Sequence, residues 1–204
     1  MDPEGNIWIV DVGGHVVVKM NPQGRVIMQL GRKGVPGAGH ANFYLPTDVA
    51  FAPNGDFYVT DGYGNSRVVK FSRDGRYLFE WGTKGSGPGE FLLPHAAVLD
   101  AQGRVYVADR ENRRIEIFDA NGKFLAQWAN IGGFSGLAMT KDQRIWAAGG
   151  GQVLLLNLDG QVLSSLPSGN LPGQVSAAHG IAVSSSGEVY VAELNWRAQK
   201  FVKK

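Results

Sequence analysis

The chain has 204 residues, of which 44% are apolar, and its formal net charge is +2. This apolar share suits a packed globular core, and a charge so close to neutral does not favour a nucleic-acid partner. Because the sequence contains no cysteine, disulfides and thiolate metal ligands are excluded. The 29 glycines follow no three-residue period, so they predict many tight turns rather than a collagen-like chain.

The sequence carries no sign of a membrane segment or a targeting signal. No apolar run approaches the roughly 18 residues that a membrane-spanning helix needs, so no membrane partner is expected. Residues 1–6 have neither the basic nor the apolar region of a signal peptide. The sequence does not identify the compartment, and a secreted or periplasmic location would require additional residues upstream.

A repeat runs along the whole chain. The same interval separates Pro46 from Pro94 and Gly55 from Gly103, and the same frame returns elsewhere in more degenerate form. The copies lie at residues 5–11, 45–71, 93–118, 144–148 and 187–193. Repetition at this period predicts a repeat architecture.

Each copy predicts four short strands. In the second copy, residues 49–51 form an apolar run, residues 57–60 alternate, residues 68–71 follow a polar turn, and residues 77–81 follow a second glycine turn. Such segments are rich in β-branched and aromatic residues, and no helical period is sustained. Four-stranded units of roughly 40–50 residues are typical of propeller blades. The sequence therefore predicts an all-β propeller that occupies residues 1–204 as one domain.

The repeated residues resemble the NHL repeat, whose relatives usually have six blades. Five copies are present here; the first begins at its second strand near Asn6, and the last stops after its third strand at residues 201–202. Because a propeller closes to hide its strand edges, three alternatives arise. The chain is a fragment of a six-bladed ring, another chain completes it, or it closes unusually. Open blade edges would favour self-association or a protein partner.

Two histidines occupy one position of the repeat. His95 and His179 each lie at the same distance before the following turn glycine, Gly103 or Gly187. By the same alignment, Thr47 and Gly136 take this position in the intervening blades. Alternate blades of a six-fold ring are related by 120°, so histidines at this position on three such blades could converge on one metal. Zinc bound by three histidines with an open position is a common catalytic arrangement. The alternative is that each histidine only binds water or a neighbouring side chain.

Three segments are similar to the peptidyl-α-hydroxyglycine α-amidating lyases. Residues 61–67 are similar to the segment that carries that family's catalytic tyrosine, residues 108–112 to the segment with a substrate-site arginine, and residues 10–15 to the equivalent first blade. The resemblance implies that His95 and His179 bind zinc, that Tyr63 is the base and that Arg110 pairs with the substrate carboxylate. The implied reaction cleaves a peptidyl-α-hydroxyglycine, a carbinolamide, into a peptide amide and glyoxylate.

The chain departs from that family at several positions. The third zinc histidine would fall before Met1, and two histidines bind zinc more weakly than three. Gly180 and Ala177 stand where the family has residues of its calcium site, so no calcium is predicted there. A non-catalytic NHL platform that binds a protein or peptide therefore stands as the alternative function.

The remaining charged residues predict an ordinary surface. His15 and His40 fall in loops and are expected to be solvated. Basic residues gather on two adjacent blades, but Asp109 and Glu111 interleave with them, so a solvated mixed-charge surface is favoured over a nucleic-acid site. The basic residues are Arg67, Lys70, Arg110, Arg113 and Arg114.

Overall fold

The structure is a computed structural model, and it describes residues 1–2 and 4–202. These residues form eighteen β-strands and no helix. Within the described ranges there is accordingly no helix long and apolar enough to cross a membrane. The strands build five antiparallel sheets around a central channel, which confirms the predicted propeller.

Each sheet is one blade, and consecutive strands are neighbours within it. Blade 1 contains β1 (Ile7–Asp11), β2 (Val16–Met20) and β3 (Val26–Leu30). Blade 2 contains β4 (Asp48–Phe51), β5 (Phe57–Asp61), β6 (Arg67–Phe71) and β7 (Tyr77–Trp81). Blade 3 contains β8 (Pro94–Leu99), β9 (Val105–Asp109), β10 (Arg114–Phe118) and β11 (Phe124–Trp128). Blade 4 contains β12 (Gly136–Met139), β13 (Ile145–Gly149), β14 (Gln152–Leu156) and β15 (Val162–Ser165). Blade 5 contains β16 (Ala178–Val183), β17 (Val189–Glu193) and β18 (Arg197–Phe201).

The inner strands β4, β8, β12 and β16 contact one another and line the channel. The expected incomplete ends are confirmed, since the first and last sheets have three strands each. By the repeat frame, blade 1 lacks an innermost strand among the described residues and blade 5 lacks an outermost one.

The turn between the first and second strands sets the register of each blade. Gly103 has a positive φ of 79° and donates its N–H to the carbonyl of Asp100. Gln143 takes the same place in blade 4 with a φ of 58°, and it donates to Thr140. A left-handed conformation is costly for a side chain larger than glycine. The lost glycine explains why the repeat is degenerate in this blade.

Four apolar clusters join the blades in chain order, and each consists of residues from two consecutive blades. Representative pairs from blade 1 to blade 5 are Val17 with Phe57, Tyr58 with Phe118, Tyr106 with Ile145, and Val153 with Val191. No such cluster within residues 1–2 and 4–202 joins blade 5 to blade 1. The face of blade 1 that points away from blade 2 and the face of blade 5 that points away from blade 4 are therefore exposed.

Candidate functional site

The four predicted site residues meet at one end of the channel. His95 lies on β8 and His179 on β16, while Tyr63 lies in the turn between β5 and β6. Arg110 lies in the turn between β9 and β10. The site thus combines two inner strands with two loops from neighbouring blades, and residues far apart in sequence become neighbours.

The two histidines share a local backbone feature. The pairing of β8 with β9 shifts between Pro94 and Ala96, so His95 sits at a β-bulge. The pairing of β16 with β17 shifts in the same way between Ala178 and Gly180, around His179. A bulge inserts an unpaired residue and re-aims its side chain. This shared bulge explains how both imidazoles turn toward one point.

That point lies at the hydroxyl of Tyr63. The Tyr63 Oη atom is 2.7 Å from Nε2 of His95 and 3.4 Å from Nε2 of His179. The two imidazole centroids are 4.8 Å apart and their planes are nearly perpendicular. Two ring nitrogens that face the same small volume could hold a single cation or orient one oxygen.

Arg110 completes the group. Its Nη1 atom donates to the Tyr63 hydroxyl at 3.5 Å, and its guanidinium carbon lies 5.4 Å from the tyrosine ring centroid. Its Nε atom donates to Glu111 at 2.9 Å, which holds the side chain in place. The guanidinium keeps further donors with which it could bind a carboxylate in the bidentate manner that suits arginine.

The hydrogen bonds and burial of His95 set the tautomer and the charge of its ring. Its Nδ1 atom lies 2.7 Å from the carbonyl of Ser135. Because a carbonyl only accepts, Nδ1–H is the donor, and the neutral ring keeps a lone pair on Nε2. Burial lowers the pKa of His95 to about 4, and the nearby His179 and Arg110 add to this effect. Burial, together with Arg110, also lowers the pKa of His179. Both imidazoles are therefore neutral at pH 7 and able to act as ligands.

One sequence-based assignment needs correction at this site. Ser135, not Gly136, holds the position in blade 4 that Thr47 holds in blade 2, because Ser135 N donates to Ala148 as Thr47 N donates to Thr60. Because of this misalignment, the sequence did not reveal the Ser135 carbonyl as the acceptor for Nδ1–H of His95. Counting eight residues back from Gln143, which replaces the turn glycine, would have found it.

The two remaining histidines differ from each other. His40 is exposed and stacks on Tyr77 with 3.8 Å between ring centroids. His15 is half-buried, and its Nδ1 accepts a hydrogen bond from Leu45 N at 3.2 Å. The prediction that His15 is merely solvated is therefore wrong, since its ring ties blade 1 to the connection that leads into blade 2.

The predicted basic surface is also wrong for two of its members. Arg67 and Arg114 are buried, and each pairs with a buried aspartate, Asp61 or Asp109. Each guanidinium also donates to three backbone carbonyls of the connection that enters its own blade. For Arg67 these are the carbonyls of Ala38, Gly39 and Asn42; for Arg114 they are those of Ser86, Gly87 and Glu90. We call this arrangement the arginine clamp.

Arg197 repeats the clamp in blade 5. It pairs with Glu193 and donates to the carbonyls of Asn170, Leu171 and Gln174. Buried charges of this kind are stable when paired and fully hydrogen-bonded. The repeated arginine is therefore a structural device that fixes the loops around the channel mouth.

Sequence comparisons agree with this architecture. The NHL repeat model matches residues 43–71 and 91–118. NHL repeat-containing protein 3 of Mus musculus is 36% identical over 98% of this chain and 63% of its own length. Peptidyl-alpha-hydroxyglycine alpha-amidating lyase 1 of Drosophila melanogaster is 36% identical over 99% of this chain and 43% of its own length. The chain thus spans less than two thirds of each of these relatives.

A solved structure described as streptogramin B lyase superposes over 100% of this chain and 67% of its own, with a TM-score of 0.68. At 17% identity this likeness shows the fold alone. The chain is a β-propeller that contains NHL repeats at residues 43–71 and 91–118, and it is similar in sequence to the peptidyl-α-hydroxyglycine α-amidating lyases.

Proposed function

We propose that the protein is a carbon–nitrogen lyase that cleaves peptidyl-α-hydroxyglycine into a peptide amide and glyoxylate. The observation that carries this proposal is the convergence of His95, His179 and Arg110 on the hydroxyl of Tyr63. Each residue type has a task in the reaction, and the sequence relatives include lyases of this name.

The two histidines fit a zinc ion as part of a donor set. Both Nε2 atoms lie close to one point, and both rings are neutral at pH 7. The Nδ1–H of His95 is held by a carbonyl, as is usual for metal-binding histidines. The described residues contain no group of three or more ligating side chains, so His95 and His179 would supply two of the ligands. When bound, zinc supplies Lewis acidity toward the oxygens of the substrate.

Arg110 would bind and orient the substrate. The α-hydroxyglycine end carries a carboxylate, and a guanidinium with free donors matches that group. The ion pair with Glu111 fixes the approach of the guanidinium from one side. The α-carbon of α-hydroxyglycine bears both the carboxylate and the hydroxyl. With the carboxylate held by Arg110, the hydroxyl would face Tyr63, whose oxygen lies 3.5 Å from Nη1 of Arg110.

Tyr63 would move the proton. Its oxygen accepts the proton of the substrate hydroxyl while its own O–H proton passes to the amide nitrogen, so Tyr63 is a phenol before and after the step. The O–H electron pair of the substrate forms the C=O bond of glyoxylate, the C–N bond breaks, and the amide nitrogen keeps the C–N electron pair together with the proton from Tyr63, so the peptide amide leaves neutral. Arg110 would offset the charge that develops on the tyrosine oxygen while it exchanges the proton.

A single hydroxyl deletion tests the proposal. We expect Tyr63→Phe to lower kcat on an α-hydroxyglycine peptide by about 10²–10⁴-fold, which is the range of general acid–base catalysis. Tyr44→Phe is the matched control, since Tyr44 is a similarly exposed tyrosine on the adjacent connection. Unchanged turnover in Tyr63→Phe, with glyoxylate release as the readout, would refute the assignment.

Metal content provides a test that does not depend on turnover. We expect elemental analysis of the purified protein to find zinc that is lost in the His95→Ala/His179→Ala double variant. The His15→Ala/His40→Ala double variant controls for the number of histidines removed, and it should retain the metal. Equal metal content in both double variants would contradict a site at His95 and His179.

A non-catalytic NHL platform is the second candidate. It is supported by the similarity to NHL repeat-containing protein 3 and by the two-histidine donor set of the described residues. This alternative predicts that the protein binds a peptide or protein partner with an affinity that His95→Ala does not change. A partner whose affinity falls in that variant would instead favour the lyase-like site.

A further inference from the structure

The mouth of the channel has a notch between blades 3 and 4. The connection between these blades, residues 129–135, is the shortest of the four in the described chain. The other three comprise residues 31–47, 82–93 and 166–177, and an arginine clamp holds each of them against its blade. The rim of the channel is therefore lowest at the seam between blades 3 and 4.

Blade 4 also lacks both residues of the clamp. Its third strand begins with Gln152, where the neighbouring blades begin with Arg114 and Arg197. Its second strand ends with Gly149, where those blades end with Asp109 and Glu193. The replacement follows from the short connection, because a Cβ atom on Gly149 would lie 2.2 Å from the carbonyl oxygen of Gly133. No acidic side chain fits at that position.

The result is an open cleft of about 440 Å³ beside the candidate site. Its floor is formed by Gly133 and by glycines 149–151, and its end by Gln152. Arg110, Glu111 and Arg113 form its wall, and Glu111 is paired with Arg110, so the cleft begins at the residue that would hold the substrate carboxylate. The volume falls within the range of small-ligand sites, and a floor without side chains allows a ligand backbone to approach closely.

Arg113 has the properties of a recognition residue. It is exposed, and its guanidinium has no hydrogen-bond or ion-pair partner among the described residues. The buried Arg114 beside it is fully engaged in the clamp, so the two adjacent arginines have different roles. A free guanidinium on the wall of a cleft matches a carboxylate.

We propose that this notch holds the peptide segment that precedes the reacting residue, and that Arg113 selects an acidic side chain in that segment. The inference rests on the proposed lyase function, and it names the substrate class as peptides with an aspartate or glutamate near the α-hydroxyglycine. The segment would run as an extended strand from Arg110 over the glycine floor, at about 3.3 Å per residue.

Filling the notch tests the path of the peptide. A Cβ atom on Gly151 would meet only the Ser176 carbonyl oxygen at 3.8 Å, so Gly151→Tyr should fold normally and occupy the cleft. Gly13→Tyr is the matched control, because a Cβ atom there meets nothing within 4 Å on the corresponding loop of blade 1. We expect Gly151→Tyr to lower kcat/KM for a hexapeptidyl-α-hydroxyglycine roughly tenfold, with no change for benzoyl-α-hydroxyglycine. An equal effect on both substrates, or a loss only in Gly13→Tyr, would overturn the proposed path.

Reversing one charge tests the selectivity without requiring turnover. Fluorescein-labelled hexapeptides that end in a glycine carboxylate and carry Glu or Lys one residue before it are compared by fluorescence anisotropy. We expect the Glu peptide to bind about fivefold more tightly than the Lys peptide, and Arg113→Glu to reverse this order. Arg25→Glu, the same change on an exposed turn of blade 1, should leave the preference unchanged.

The two experiments separate the two hypotheses. If neither α-hydroxyglycine substrate is cleaved but the Glu peptide is preferred through Arg113, the lyase function fails while the peptide site stands. If both substrates are cleaved and neither Gly151→Tyr nor Arg113→Glu discriminates between peptides, the notch proposal fails while the lyase function stands.

Discussion

Blade 3 and blade 5 are built from the same repeat, yet they differ in what covers them. Tyr106 of β9 is 0% exposed, whereas Tyr190, at the same place in β17, is 41% exposed. All residues of β9 are buried, but in β17 buried and exposed residues alternate. The local pattern therefore specifies the strand, while a neighbouring blade decides whether one or both faces enter the core.

Substitution of the two equivalent tyrosines, Tyr106 and Tyr190, should give the largest difference in stability between the two blades. Tyr106 packs against Trp128, with 5.4 Å between ring centroids, and its hydroxyl donates to the buried Asp100 at 3.1 Å. We expect Tyr106→Ala to lower the free energy of unfolding by about 4–5 kcal/mol, through the cavity and the lost hydrogen bond. Tyr190→Ala should cost less than about 1 kcal/mol, because that face is exposed. Urea titration of both variants measures the two values, and equal losses would show that the open face of blade 5 is covered in solution.

The arginine clamps provide the second test. Arg114 is buried in blade 3, and Arg114→Met would leave Asp109 buried without its ion-pair partner. We expect a loss of about 3 kcal/mol in the free energy of unfolding, which is characteristic of a broken buried pair. Arg197 forms the same contacts in blade 5 but remains partly exposed, so Arg197→Met should cost clearly less.

Limited proteolysis of the connections distinguishes a local effect from a global one. Arg114→Met should expose residues 82–93 to cleavage, since these residues lose three carbonyl contacts. Arg197→Met should expose residues 166–177 in the same way. Cleavage at unrelated sites in either variant would contradict the clamp as a local device.

Much of the fold was predictable because the repeat is local. Turn glycines such as Gly55 and Gly103 and alternating strands such as β5 indicate a blade without any knowledge of its neighbours. The same regularity placed His95 and His179 at one repeat position. The resemblance to the lyase family added Tyr63 and Arg110, and the structure brings all four residues together.

The errors at the arginines and at His15 share one cause, which is contact with residues distant in sequence. Arg114 looks like a solvated cation because its carbonyl partners lie 24–28 positions away in the chain. His15 looks solvated because its partner, Leu45, belongs to the next connection. The notch was equally hidden, since it arises from a short connection and from glycines whose meaning depends on the backbone packed above them.

The smallest expected effect concerns a carboxylate that, among the four described inner strands, only that of blade 2 carries at this position. Asp48 stands where blade 3 has Ala96 and blade 5 has Gly180, and its side chain accepts hydrogen bonds from the N–H groups of Ala97 and Val49. Burial raises the pKa of Asp48 to about 6, although these two hydrogen bonds oppose the shift. The ionised form is therefore less favourable in the folded state than in the unfolded chain.

The sign of the pH dependence follows from this shift. Below the unfolded pKa of about 4, Asp48 is protonated in both states and imposes no penalty. The stability contribution is lost as the pH rises through about 6, where the folded state must ionise a partly buried acid. Asp48→Asn removes the charge but keeps an acceptor for only one of the two N–H groups, because Val49 and Ala97 donate to different carboxylate oxygens. At pH 4 the lost acceptor should make the variant slightly less stable than the unchanged protein, and we expect its relative stability to improve by about 1–2 kcal/mol between pH 4 and pH 7.5. Because the side chain keeps partial access to solvent, the gain should be smaller than the full shift would give.

Denaturant titrations between pH 4 and pH 8 measure this slope. Asp119→Asn is the matched control, because Asp119 also accepts two backbone N–H groups but lies on an exposed turn of blade 3. That variant should retain the full decline in stability between pH 4 and pH 7, whereas Asp48→Asn should make the decline shallower; Glu116, whose pKa burial also raises, contributes to the remainder. A decline in Asp48→Asn as steep as in the unchanged protein would contradict the assignment, and it would mean that other carboxyls with raised pKa values, such as that of Glu116, carry the whole slope.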